Sequence, residues 1–149
     1  MKSNNLPIKI LVLNSDHDLH DMIKSVLEPE KFSIRRANYH ARDISNLQNY
    51  DPDVIIIYLN PLKSDGIAVC QEIRRFSKVP ILVITNINKP GMVERTLDAG
   101  ADEFLIRPVS ENLLLAYINN LARRAKAEKN ARKLLFGEVQ RRDTKPQFV

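Results

Sequence analysis

Three short runs of the chain are almost wholly apolar and rich in β-branched residues: Ile8-Lys9-Ile10-Leu11-Val12-Leu13, Val54-Ile55-Ile56-Ile57-Tyr58-Leu59 and Ile81-Leu82-Val83-Ile84-Thr85. A strand with one face in water alternates apolar and polar residues. A run that does not alternate is buried on both faces, as in a parallel sheet covered by helices. Phe32-Ser33-Ile34-Arg35-Arg36-Ala37 and Glu103-Phe104-Leu105-Ile106 are more polar, which suits strands near the sheet edges. Parallel strands need crossover connections, usually helical.

The intervening segments carry helical spacing. Leu19, Met22, Ile23, Val26 and Leu27 fall on one helical face, with Asp16 or Asp18 as N-cap. Ile44 and Leu47 mark a short second helix. Ile67, Val69, Cys70 and Ile73 mark a third, introduced by Ser64-Asp65-Gly66. Met92, Val93, Thr96 and Leu97 mark a fourth, between Pro90 and a Gly100 cap. The fifth carries Leu113, Leu114, Tyr117, Ile118 and Leu121, with Ser110 as cap and Glu111 in its first turn. Five βα units with right-handed crossovers give an α/β fold: a doubly wound, flavodoxin-like three-layer sandwich with a parallel five-stranded sheet. The functional crevice of such a sheet lies at the carboxyl ends of its strands. Asn14-Ser15-Asp16, Tyr58 to Asn60 and Thr85-Asn86 should converge there.

With 149 residues the chain is one domain's worth. No apolar run approaches the roughly 20 residues that cross a bilayer. The start of the chain lacks the long apolar stretch and small-residue cleavage site of a signal peptide, so a cytoplasmic location is expected. The single Cys70 lies in an apolar stretch and is expected to be a buried, inert thiol. His17, His20 and His40 are expected near the surface and solvated. The net charge of +5 is uneven: residues to Ala122 sum to −1 and those from Arg123 onward to +6. The basic character belongs to the C-terminal tail. A solvated helix or linker is the plain reading of it, and an anionic partner the sharper one.

The order Lys9-Ile10-Leu11-Val12-Leu13, Pro52-Asp53-Val54, Asp65-Gly66, Val79-Pro80-Ile81 to Ile84-Thr85, and Asp98-Ala99-Gly100-Ala101-Asp102-Glu103-Phe104-Leu105-Ile106-Arg107-Pro108 resembles the receiver domain of bacterial response regulators, from about Ile8 to Arg124. Each piece alone is weak, but the order and spacing together are specific. The resemblance implies a receiver-like unit over 1–124 and a basic extension or linker over 125–149.

Receivers of this family hold Mg²⁺ with two carboxylates after the first strand and one after the third, the last being the phospho-acceptor Asp. Here the acid-pair positions hold Asn14 and Ser15, with Asp16 next to them. Tyr58 stands at the acceptor position, and Arg107 replaces the lysine that neutralises the phosphoryl group. Thr85 keeps the hydroxyl position. Mg²⁺ wants charged oxygen ligands, and one carboxylate is a poor set. A phenol with a pKa of about 10 is also a weak nucleophile at neutral pH. The expectation is therefore an atypical receiver that neither binds metal nor takes phosphate on aspartate, has no cofactor, and is not an enzyme. Tyr58 is expected to fill the emptied pocket, its hydroxyl bonded to Asn14, Thr85 or Arg107, with Arg107 hydrogen-bonding or stacking on the ring. Phosphorylation of Tyr58 or Ser15 by another kind of kinase is the sharper alternative. Pro61 lies three residues after Tyr58 where the family has four, so this loop is expected to be reshaped.

In the winged-helix (OmpR/PhoB-type) subfamily, the fourth helix, fifth strand and fifth helix form a two-fold dimer face. The corresponding residues are Arg95, Glu103, Phe104 and Tyr117. Arg95 and Glu103 keep the subfamily's charge signs, Tyr117 replaces an arginine, and Phe104 replaces a switch tyrosine. A homodimer through this face is expected; solvated surface charges are the plain alternative. Ala, Lys, Arg and Glu after Arg124 favour continuation of the fifth helix. Leu135-Phe136-Gly137-Glu138-Val139 resembles the opening strand of a winged-helix DNA-binding domain, and no recognition helix is expected in residues 140–149. Two functions compete. One is a phosphorylation-independent signalling module acting by protein–protein contact, in transcription regulation. The other is a nucleic-acid-binding accessory protein working through the basic tail.

Overall fold

The computed structural model describes residues 6–38, 50–60 and 66–148, with side chains as far as Phe136. In chain order the elements are β1 (Ile8–Leu13), α1 (His17–Val26), β2 (Phe32–Ala37), β3 (Val54–Tyr58), α2 (Gly66–Arg74), β4 (Ile81–Thr85), α3 (Met92–Asp98), β5 (Glu103–Ile106) and α4 (Glu111–Phe148). The second helix expected around Ile44 and Leu47 lies outside the described residues, as do His40, Pro61, Ser64 and Asp65.

All strand pairings are parallel, and the sheet order is β2-β1-β3-β4-β5. The three continuous apolar runs are the central strands and the two more polar ones are the edges. Alternate residues of each central strand feed two cores. Ile10, Val12, Ile56 and Ile84 face α1 and α4, meeting Leu19, Ile23, Leu114 and Ile118. Leu11, Ile55, Ile57 and Val83 face α2 and α3, meeting Val69, Ile73 and Met92. Burying each such side chain contributes about 1.5–3 kcal/mol, which is why the pattern dictates a sandwich. Cys70 is fully buried in the second core, and burial pushes its thiol up to about 11.

Local signals end the helices. Asp16 caps α1, its Oδ1 accepting the Leu19 N–H at 2.7 Å. The Ser110 hydroxyl accepts the Leu113 N–H at 3.1 Å at the start of α4. After α3 the Gly100 N–H donates to the Leu97 carbonyl and the Ala101 N–H to that of Thr96. This is the paired closure of a helix by a left-handed residue. Gly100 has φ +115°, and a Cβ there would collide with the Arg74 side chain.

Arg74 ties the amino-terminal edge of the sheet together. Its guanidinium donates to the carbonyls of Gly100 (2.9 Å), Ser77 (3.3 Å) and Val79 (2.7 Å) and pairs with Asp102 at 2.8 Å. Arg124 of α4 joins the other Asp102 oxygen at 3.3 Å. Asp53, just before β3, accepts the Lys9 N–H at 2.8 Å and the Lys129 Nζ at 2.6 Å. Ala125 is buried as well. So α4 stays seated on the domain at least one turn beyond Arg124. The strand expected at Leu135-Phe136-Gly137-Glu138-Val139 is not found: these residues continue α4. Apart from Gly137, good helix formers on both sides outweigh the short strand-like pattern. Among the described residues no helix is long and apolar enough to cross a membrane.

Candidate functional site at the carboxyl edge of the sheet

The segments that follow β1, β3, β4 and β5 converge as the topology requires, and a chain of polar contacts joins them. Arg107, just after β5, lies at its centre. Its Nη2 pairs with Asp16 Oδ2 at 3.0 Å, its Nε donates to Asn86 Oδ1 at 2.6 Å, and its guanidinium lies 5.6 Å from the centroid of the Tyr58 ring. Asn86 Nδ2 in turn donates to the Tyr58 hydroxyl at 3.1 Å. The Tyr58 ring is partly buried against the core on the α1/α4 side. The Arg107–Pro108 peptide bond is cis. Beside this network lies a cleft of about 490 Å³, lined by Asp18, Met22, Asn86, Arg107, Pro108 and Val109.

The partner of the Tyr58 hydroxyl corrects the sequence expectation. It is Asn86, not Asn14, Thr85 or Arg107. Asn86 directly follows Thr85 at the crevice, but it has no place in the motif and so attracted no role. The Thr85 hydroxyl is committed elsewhere: fully buried, it donates to the Leu59 carbonyl at 2.7 Å and accepts the Ile87 N–H at 3.3 Å. Arg107 does pack over the Tyr58 ring, at cation–π range.

Asn14 has φ +60°, a left-handed conformation that asparagine tolerates better than most residues. Its N–H donates to the Ala37 carbonyl at 2.9 Å. Ser15 is buried; its carbonyl accepts from Arg36 Nη2 at 3.1 Å, and its hydroxyl has no hydrogen-bond partner among the described residues. Burial raises the Asp16 pKa. The Leu19 N–H, the Arg107 contact and the nearby Arg36 charge outweigh this and leave it below the ordinary carboxylate value.

This donor set does not fit a hard dication. Asp16 offers the one carboxylate of the network, and its two oxygens already serve a helix N-terminus and a guanidinium. Arg107 already neutralises Asp16, where Mg²⁺ needs several anionic oxygens free to ligate it. Among the described residues no group of three or more His, Cys, Asp or Glu comes together.

The other predicted surface lies along the β5 edge. Arg95 is exposed on α3, Glu103 opens β5, Phe104 packs partly against the α2/α3-side core, and Tyr117 packs partly against the α1/α4-side core. Sequence reasoning gave no role there to Leu97 on α3 and Leu113 on α4, which are 42% and 45% exposed. Leu113 precedes Tyr117 by one helical turn, so the two share a face of α4. His20, expected to be solvated, is half-buried and its Nδ1 has no partner among the described residues. Burial, then the charges of Arg36 and Lys24, lower its pKa from 6.5.

The response regulator receiver domain profile matches residues 10–119. The chain belongs to this family. It is 26% identical over 117 residues to the response regulator protein GraR of Staphylococcus aureus, covering 78% of this chain and 52% of that protein. The receiver thus spans about half the length of the curated relatives it matches. A two-component response regulator from Clostridium difficile is 30% identical with a TM-score of 0.68, covering 78% of this chain and 96% of that one. A CheY-like receiver domain protein from Methanospirillum hungatei superposes with a TM-score of 0.70 at 18% identity, over 83% of this chain and 99% of that one. The second likeness speaks to the fold alone.

Proposed function

We propose that this receiver is phosphorylation-independent: a non-enzymatic signalling module that works through protein–protein contact. The observation that carries the reading is the fate of Asp16, the carboxylate of the polar network around Arg107, which is held by the α1 N-terminus and by Arg107. Phosphoryl transfer depends on a nucleophile and on cations that neutralise charge spreading over the transferred oxygens. Here the acceptor position carries a neutral phenol, hydrogen-bonded to an amide. Arg107 supplies positive charge, but with no acceptor carboxylate it has nothing to assist. Magnesium titration tests the metal half of this reading. Backbone amides at Asn14 to Asp16 and Tyr58 to Asn60 should keep their NMR positions at millimolar Mg²⁺. Saturable shifts confined to them would overturn it.

The reading extends to a cytoplasmic homodimer through α3, β5 and α4, with Arg95 and Glu103 pairing across the two-fold and Phe104 and Tyr117 nearer its centre, in the manner of the winged-helix subfamily and its role in transcription. Exposed Leu97 and Leu113 support it, because they add apolar area on α3 and α4 beside Phe104 and Tyr117. Sedimentation at micromolar concentration should show a dimer that Leu97→Glu dissociates; a monomer throughout removes the dimer from the reading. In the second reading, 125–149 is a basic extension that binds nucleic acid, favoured by the exposed cations Lys126, Arg132 and Lys133. Salt-sensitive binding to random DNA, lost on cutting before Arg123, would establish it.

A further inference from the structure

A second cleft, of about 730 Å³, lies at the opposite end of the sheet, between the α2–β4 connection and the part of α4 beyond Arg124. Phe76, Val79, Pro80 and Ala125 give it an apolar lining. Its rim carries Arg75, Lys78 and Arg132, of which Lys78 and Arg132 form no ion pair among the described residues. Two of its acids are already spent, since Asp53 and Asp51 face Lys129 at 2.6 and 3.6 Å.

The cleft does not end at its rim. Glu128, Lys129 and Arg132 line it from one face of α4. Residues three, four and seven positions on continue the same helical face. Those positions include Leu135 and Phe136, 64% and 63% exposed. Two large apolar side chains thus stand in water on the face that leads out of a basic-rimmed cleft. Between Arg123 and Phe136 the helix carries six Lys/Arg and one acid, Glu128.

We propose that the cleft and the α4 face running from it to Phe136 form one docking groove for an acidic protein segment with apolar anchors. The cations of the rim select carboxylates, and the cleft and the Leu135–Phe136 ledge each take an apolar side chain. Charge and shape choose this occupant over others. Nucleic-acid backbone would use the cations and leave Leu135 and Phe136 in water. A bilayer needs one broad apolar helix face, whereas Leu135 and Phe136 share theirs with Glu128, Lys129 and Arg132. A second copy of this helix would bring like charges together. The groove is remote from the crevice of Arg107 and does not depend on whether that crevice takes phosphate.

Fluorescence anisotropy of the full chain with a short labelled peptide of glutamate, leucine and phenylalanine tests it. The peptide should bind, and its serine-for-apolar counterpart should bind at least about tenfold more weakly. Leu135→Ser with Phe136→Ser, and separately Lys78→Glu with Arg132→Glu, should each weaken the first peptide by about fivefold or more. All four residues are exposed, so circular dichroism should be unchanged; Lys24→Glu on α1 serves as the charge control and should bind normally. The proposal is overturned if the serine peptide binds equally well, or if a short random DNA duplex binds more tightly than the peptide and ignores the Leu135/Phe136 change. It is also overturned if anionic vesicles outcompete the peptide, or if sedimentation shows self-association that Phe136→Ser abolishes.

Discussion

The two ends of the sheet are built from opposite materials. At the carboxyl edge, where open α/β sheets place their chemistry, one carboxylate, one guanidinium, an amide and a phenol form a single polar chain across the ends of four strands. At the amino edge, Asp53 and Asp102 each bind a backbone N–H and at least one cation, and both reach onto α4. The carboxyl edge is poor in negative charge; the amino edge holds it in paired, partly buried form. Low exposure makes such pairs structural, since breaking one strands a desolvated charge. The fold's usual working end is therefore electrostatically muted, while its opposite end anchors the long basic helix.

That contrast should appear first in stability. Asp53→Ala removes the partner of both Lys9 N–H and Lys129, and should lower the unfolding free energy by about 2–3 kcal/mol in urea titration. Lys129→Met should cost less but increase hydrogen exchange of the α4 amides around 125–136. Asp16→Ala, at the other edge, loses a helix cap and a pair whose carboxylate is 40% exposed. It should cost about 1 kcal/mol. Tyr58→Phe loses a hydrogen bond to an exposed amide, and should stay within about 0.5 kcal/mol. If Asp16→Ala proved as costly as Asp53→Ala, the two ends would not differ as described.

The smallest effect is on pH dependence. His20 has its folded pKa below 6.5 through burial and the nearby cations Arg36 and Lys24. The unfolded chain therefore takes up its proton first as pH falls. Stability from this group is whole above 6.5 and is lost as pH drops through the lower folded value. His20→Gln should flatten the urea midpoint between pH 7 and 5, and an NMR titration should place the His20 midpoint below 6.5; a midpoint above it would reverse the sign.

Much of the fold was legible because both-face burial writes itself as unbroken apolar runs. Those runs fixed the central strands, and polar content put β2 and β5 at the edges. The α4 helix was half legible: composition pointed past Arg124, but a likeness to a winged-helix strand misread 135–139, where local helix propensity prevails. At the crevice, motif alignment located Asn14, Ser15, Asp16, Tyr58, Thr85 and Arg107 but not their partners. Asn86 and Arg36 make contacts through side chains outside any motif, and the sequence carries no mark of which amide a phenol will meet. Asp53 was visible within Pro52-Asp53, yet its pairing with Lys129 spans too much chain for a local pattern to reveal. His20 looked solvated because a helix position beside charged neighbours gives no hint of the Arg36 strand packed across it.

Intact-protein mass spectrometry after incubation with acetyl phosphate and Mg²⁺ tests the muted crevice most directly. A receiver with Tyr58 at the end of β3 and Asp16 committed to Arg107 should leave the mass unchanged. A gain of one phosphoryl group, labile to hydroxylamine and mapping to the β1–β3 crevice, would contradict it.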